Sequence, residues 1–370
     1  MVEESLIDVY RALQRTLDKL PVGYPETESG VEIRILKELF TPIQAMIGSK
    51  LEFQLKHLDD IYDELKNSDL TQEKLEENLD EMYDLGLILR TTKPINGKEG
   101  KKYAATAFML GFYEFHAKKM TSEYIRDVDQ YLEEGFTEEL NKTKTPQLRT
   151  IPIGDVVEAE NQISSYDNVR QIFENCGEPI VLNECICRKK NEMSDRKCTQ
   201  TELLEACFSF RSAGKAYLKR GLGRIIQKEE ALKILEQAEK DGLVLQSGNS
   251  QRPMALCLCC GCCCNLLVNQ KRIGATSDYF ASNYFATVDS ELCTGCGICE
   301  TRCQMDAIEI VEGVSNIDRN YCIGCGVCAP TCPEEAITLK KKDEKELTIP
   351  PKNTFEFYQE LAKKKAELEK

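Results

Sequence analysis

The chain has 370 residues, enough for two or three domains with cores of their own, and carries a formal net charge of -14. That charge argues against a general affinity for the nucleic-acid backbone or for an anionic membrane surface, both of which attract basic patches. Nineteen cysteines accompany only two histidines, so imidazole cannot be the main ligand if the cysteines serve metal.

The amino terminus, MVEESLIDVY, has no basic segment leading into an apolar stretch, and no run of eighteen apolar residues occurs anywhere. The expectation is a cytoplasmic protein without membrane insertion. There thiols are kept reduced, which favours metal ligation over disulfides.

Residues 1–142 read as a first, largely helical domain. GVEIRILKELF and QLKHLDDIYDELK carry apolar stripes, and TQEKLEENLDEMYDLG follows with Thr71 as N-cap. LILRTTKPINGKEGKKYAAT has a turn at Asn96 and Gly97 between short strands. This order resembles a winged helix-turn-helix, which implies a third helix able to enter a major groove. Here that helix has Lys74 against Glu73, Glu76, Glu77, Asp80, Glu81 and Asp84, and residues 1–150 hold 29 acids against 20 bases. Phosphate repulsion opposes DNA binding, so a protein-docking module is expected, with a redox-sensing regulator as the alternative. The pattern Glu73, Leu79, Gly86, Leu87, Leu89 returns 156 residues later as Glu229, Leu235, Gly242, Leu243, Leu245. FMLGFYEFHAKK, at 108–119, reads as an aromatic core helix with His116 on its edge.

TKTPQLRTIPIGD, at 143–155, has two prolines and little periodicity and is expected to be a linker. A cysteine-rich α/β domain is expected over 156–285. PIVLNECICRKK reads as a strand ending in a turn, with Cys185 and Cys187 pointing the same way off the pleat. Residues 198–245 read as mostly helical, a hairpin that returns CICR against CLCCGCCC. Cys176 is expected to be a buried thiol. Cys185, Cys187, Cys198, Cys207, Cys257, Cys259, Cys260, Cys262, Cys263 and Cys264 remain, enough thiolates for one or two further clusters, the subset being open. A copper-thiolate site is the chemical competitor. The CCG at 259–261 partly resembles the cysteine-rich motif of heterodisulfide reductases, which implies a disulfide reductase as another alternative.

CTGCGICETRCQ at 293–304 is repeated 29 residues later as CIGCGVCAPTCP. Closely spaced thiols of this kind suit the corners of an iron-sulfur cube better than the separated pairs of a zinc knuckle, and the glycines admit close backbone approach. Residues 293–339 resemble the two-cluster bacterial ferredoxins, within a domain expected over 286–340. The resemblance implies one 4Fe-4S cluster on Cys293, Cys296, Cys299 and Cys332, and another on Cys322, Cys325, Cys328 and Cys303. Gln304 stands where the second half has Pro333. The tail, 341–370, reads as a charged exposed helix.

No Walker A loop, dinucleotide fingerprint or haem-attachment motif is present. The whole is expected to be an α+β chain that passes single electrons to a redox partner protein or oxidoreductase complex. The run CICR, GLGRIIQKEEAL, AEKDGLVLQ and CLCCGCCC before a ferredoxin repeat resembles a family of multi-cluster iron-sulfur proteins of anaerobes.

Overall fold

A computed structural model describes residues 2–95, 97–153, 164–274 and 276–369. The chain divides into two compact units, 1–143 with 361–370 and 144–360. Among the described residues no helix is long and apolar enough to cross a membrane.

The first unit opens with helices Val2–Asp18, Val31–Leu39 and Pro42–Gly48. Strand β1 (Lys56–His57), helices Leu58–Leu65 and Gln72–Leu85, and strands β2 (Ile88–Thr91) and β3 (Lys102–Ala105) follow, with β3 in the middle of the sheet. The short strand β1 lies inside the stretch expected to be one helix. Thr71 caps Gln72–Leu85 by accepting from the Lys74 N–H at 3.2 Å, and Gly86 ends it at φ 84°. The turn residue Asn96 lies outside the described residues.

Phe108–Phe115 is not the continuous helix expected, because Met109, Leu110 and Gly111 leave helical backbone geometry. The break lets Phe108 and Phe112 share one core, with rings 5.4 Å apart, and Phe108 also meets Tyr24 at 5.6 Å and Phe136 at 5.1 Å. All four are fully buried, each worth about 1.5–3 kcal/mol in transfer terms. From Leu361 onward the helix Thr354–Leu368 belongs to this unit, and it is not simply a solvated tail: Leu361 is buried, and buried Lys365 Nζ meets Glu139 Oε1 at 2.7 Å.

The second unit is built on a six-stranded sheet of β4 (Leu148–Ile151), β5 (Ile180–Glu184), β6 (Glu205–Phe210), β7 (Gly223–Ile225), β8 (Val244–Gly248) and β9 (Ala255–Cys259). Their order is β4-β8-β9-β6-β5-β7 and every pairing is antiparallel, so this region is α+β in character where α/β was expected. Strand β4 falls inside the expected linker. It is fully buried, and its Arg149 donates to Asp167 Oδ1 at 2.6 Å and to the Thr348 carbonyl at 2.8 Å. Residues 154–155 of that linker, and 156–163 beyond it, lie outside the described residues.

Along β6 and β9 the pleat alternates. Phe208, Leu256 and Leu258 face one side, leaving Cys207, Cys257 and Cys259 on the other, with Cys207 directly opposite Cys257. Strands β10 (Tyr284–Val288) and β13 (Ile337–Lys341) pair antiparallel, and β11 (Ile308–Val311) with β12 (Val314–Ile317) forms a hairpin. These strands belong to the same compact unit as the sheet.

Candidate metal centres

The 29-residue repeat is repeated in backbone geometry. Gly295 and Gly324 have φ 67° and 66°, and Gly297 and Gly326 have φ 76° and 77°. A Cβ on Gly295 would stand 2.3 Å from the Gly313 carbonyl oxygen, and one on Gly324 2.2 Å from that of Tyr284. Only glycine combines this left-handed turn with that approach.

The amides follow the same symmetry. Ala307 N–H lies 3.3 Å from Cys303 Sγ and Ala336 N–H 3.3 Å from Cys332 Sγ, while Ser315 and Ala286 reach Cys293 and Cys322 at 3.4 Å each. Such N–H groups favour sulfur carrying negative charge. The Ser315 amide, with that of Gly295, draws the Cys293 thiol below its ordinary range, whereas burial pushes Cys325 up to about 12 and Cys328 well up.

Cys293, Cys296, Cys299 and Cys332 line one pocket with Ile298, Ser315 and Ile337. Cys332 comes from the opposite half of the repeat. Four thiols lining one pocket, with amides aimed at the Cys293 and Cys332 sulfurs, fit a 4Fe-4S group.

The ten remaining candidate cysteines come together by a route other than the one expected. Cys185 does not continue the β5 pleat. It is the N-cap of helix Ile186–Met193, so Cys187 lies in that helix's first turn. No helical hairpin brings this segment to CLCCGCCC. The sheet does: β6, in the stretch read as helical, pairs with β5 on one side and β9 on the other, and the Cys185 N–H donates to the Leu204 carbonyl at 2.7 Å.

Six of the ten form a closed ring of thiol contacts, running Cys185, Cys187, Cys264, Cys259, Cys257, Cys207 and back to Cys185. Hydrogen bonds from Cys187 and Cys207 pull Cys185 well below the usual thiol range, and those from Cys187 and Cys259 do the same for Cys264. Cys264, like Cys185, stands at a helix N-cap, where the helix dipole also favours a thiolate.

The other four gather separately. Cys198 Sγ lies 3.7 Å from Cys260 Sγ and 3.6 Å from Cys262 Sγ, Cys262 lies 3.6 Å from Cys263, and all four sulfurs fall within 4.8 Å of one another. Cys176 stands apart, buried, its Sγ 3.2 Å from the Phe173 carbonyl.

Sequence reasoning passed over the groups that hold these sulfurs. Arg188 is buried, donates to the Leu203 carbonyl at 2.8 Å and the Leu258 carbonyl at 2.7 Å, and brings a positive charge beside Cys185 and Cys260. Lys190 Nζ, also buried, meets Asn265 Oδ1 at 2.7 Å. Basic residues within KK-type runs normally read as solvated, and only the fold shows them turned inward.

Gln304 has an assignable role. Its side-chain oxygen accepts from the Gly261 N–H at 2.7 Å, tying the ferredoxin repeat to the middle of CLCCGCCC. Proline at 304 would leave that amide without its acceptor.

Residues 286–309 and 316–338 match the family model described as a 4Fe-4S binding domain. This is a ferredoxin-type domain with two motifs. Its cofactors are two 4Fe-4S clusters, which supply one-electron chemistry when bound. No curated protein and no solved structure matches the chain.

Proposed function

We propose that the chain relays single electrons through its two ferredoxin-type clusters and at least one further iron-sulfur cluster, exchanging them with a partner redox protein or oxidoreductase complex. In this reading Cys293, Cys296, Cys299 and Cys332 hold one ferredoxin cluster, and Cys322, Cys325, Cys328 and Cys303 the other. The observation that carries the relay is a shared apolar core: Cys303, Cys322 and Cys325 pack against the same cluster of residues as Cys257, Cys259 and Cys264. Three cysteines assigned to the second ferredoxin cluster and three of the six-thiol ring thus share one apolar cluster. The ring supplies more than the four thiolates that a further cluster needs.

The first unit is read as a winged-helix-like docking module. Its order of helices, with a sheet closed by β2 and β3, supports that shape. Two lysines of the wing are already engaged: Lys101 pairs with Glu76 at 2.5 Å and Asp80 at 2.6 Å, and Lys98 with Asp60 at 3.1 Å. With these two lysines paired, the wing offers less to phosphate, which favours an acidic face for a protein partner over DNA.

The test is iron and acid-labile sulfide analysis of the full chain prepared anaerobically, followed by reduction with a low-potential donor. Two cubanes account for about eight irons and a third raises the count to about twelve. The expected outcome is more than eight, with every cluster reduced and reoxidised one electron at a time and no small molecule consumed. A reproducible count near eight with no gain on reconstitution removes the further cluster. Stoichiometric disulfide reduction, or tight operator binding at physiological salt, replaces the relay by a reductase or a regulator.

A further inference from the structure

The geometry of the central cysteines points beyond additional cubanes. We propose that Cys198, Cys260, Cys262 and Cys263 form a separate site for one thiophilic metal ion, zinc(II) or a single iron, held tetrahedrally by four thiolates without bridging sulfide. The inference rests on the reading that these central cysteines bind metal, and divides them into two sites of different chemistry.

Spacing decides it. A metal-sulfur bond of about 2.3 Å in a tetrahedron sets the ligand sulfurs roughly 3.8 Å apart. The observed separations are 3.6 Å, 3.6 Å and 3.7 Å, and no pair exceeds 4.8 Å. Thiolates around a cube stand farther apart, because each extends outward from a different iron. The ferredoxin thiols of the same molecule provide the comparison: among the described residues, no other three histidine, cysteine or carboxylate ligand atoms converge to 4.8 Å.

The surroundings hold these four sulfurs in place. Cys260–Cys263 form the turn between β9 and helix Asn265–Ile273, and Gly261 within that turn is clasped by Gln304. Cys198 arrives on the segment after helix Ile186–Met193. Arg188 spans the two segments, since its guanidinium donates to the carbonyls of Leu203 and Leu258. Asn191 adds a donor to the Cys262 carbonyl at 3.4 Å. A divalent ion with four thiolates carries a net charge of about -2, and the buried guanidinium beside Cys260 offsets part of it. The ligand pattern has one Cys-x-x-Cys, Cys260 and Cys263, with Cys262 inside it and the fourth ligand 62 residues upstream of Cys260, so the second separated pair of ordinary zinc ribbons is missing and spacing along the sequence does not reveal the site.

The experiment compares the full chain with Cys198→Ser and Cys262→Ser, all purified anaerobically, for zinc, iron and acid-labile sulfide. Cys262 is exposed, so its replacement removes a ligand with little disturbance of packing. The expected result is loss of one metal ion per chain in both variants with sulfide unchanged and the ferredoxin electron paramagnetic resonance signals retained. Loss of one zinc identifies zinc, and loss of one iron together with a mononuclear high-spin ferric signal identifies iron. Production of the full chain with cobalt(II) should add the visible bands of tetrahedral cobalt-thiolate, absent from both variants. Loss of about four irons with four sulfides would overturn the proposal in favour of a cubane and leave metal binding by these cysteines standing. No change in any metal would overturn both.

Discussion

At the scale of single residues, His116 shows how burial alone sets chemistry. Its Nε2 is buried without a hydrogen-bond partner and its ring lies 4.7 Å from that of Tyr124. Burial first, and the Lys119 charge second, lower its pKa to about 4. Between that value and the ordinary 6.5 the unfolded chain binds the proton and the folded chain does not. Stability of the first unit should therefore fall as pH drops from about 6.5 toward 4, by roughly 2 kcal/mol once partial exposure of the ring is discounted. His116→Phe should flatten this dependence in denaturant titrations across that range. An unchanged slope in the variant would assign the acid sensitivity elsewhere.

At the scale of elements, the contact between the CLCCGCCC turn and the ferredoxin repeat is the joint on which the second unit depends. A Cβ at Gly261 would stand 2.2 Å from the Gln304 carbonyl oxygen, and backbone cannot yield cheaply. Gly261→Ala should cost about 1–3 kcal/mol and shift the spectrum of the cluster nearest Cys303. Gly248→Ala, whose added methyl meets nothing within 4 Å, is the control and should change the melt little. Equal behaviour of the two variants would deny the joint any importance.

The ferredoxin repeat was legible in the sequence because its ligands and glycines are local and occur twice. The departure at Gln304 was also visible, but its reason lies 43 residues away at Gly261, and only the fold brings the two together. Strand β5 was readable from IVLNE. The helix starting at Ile186 was not, since Cys185 is none of the usual capping residues. Strand β4 was hidden because Arg149 breaks an apolar run, and its buried charge is satisfied by Asp167, a partner no pattern announces.

At the scale of the molecule, the thiols are confined to one of the two units. The first cysteine is Cys176, so every thiol lies in the second unit. Stripping metal under anaerobic conditions should abolish the calorimetric transition of the second unit and leave that of the first, because only the second has thiolates whose metal bonds add to folding energy. Simultaneous loss of both transitions would mean that the first unit also leans on the metal. The short distances around Cys198 have a further consequence, for the order of events during biogenesis. Sulfurs 3.6 Å to 3.7 Å apart need only modest side-chain rotation to bond covalently. Oxygen and the ion therefore compete for the same electron pairs. A freshly made chain that meets oxidant first is sealed by disulfides against the ion, whereas one that is filled first is protected, which makes insertion before exposure to air a condition of maturation.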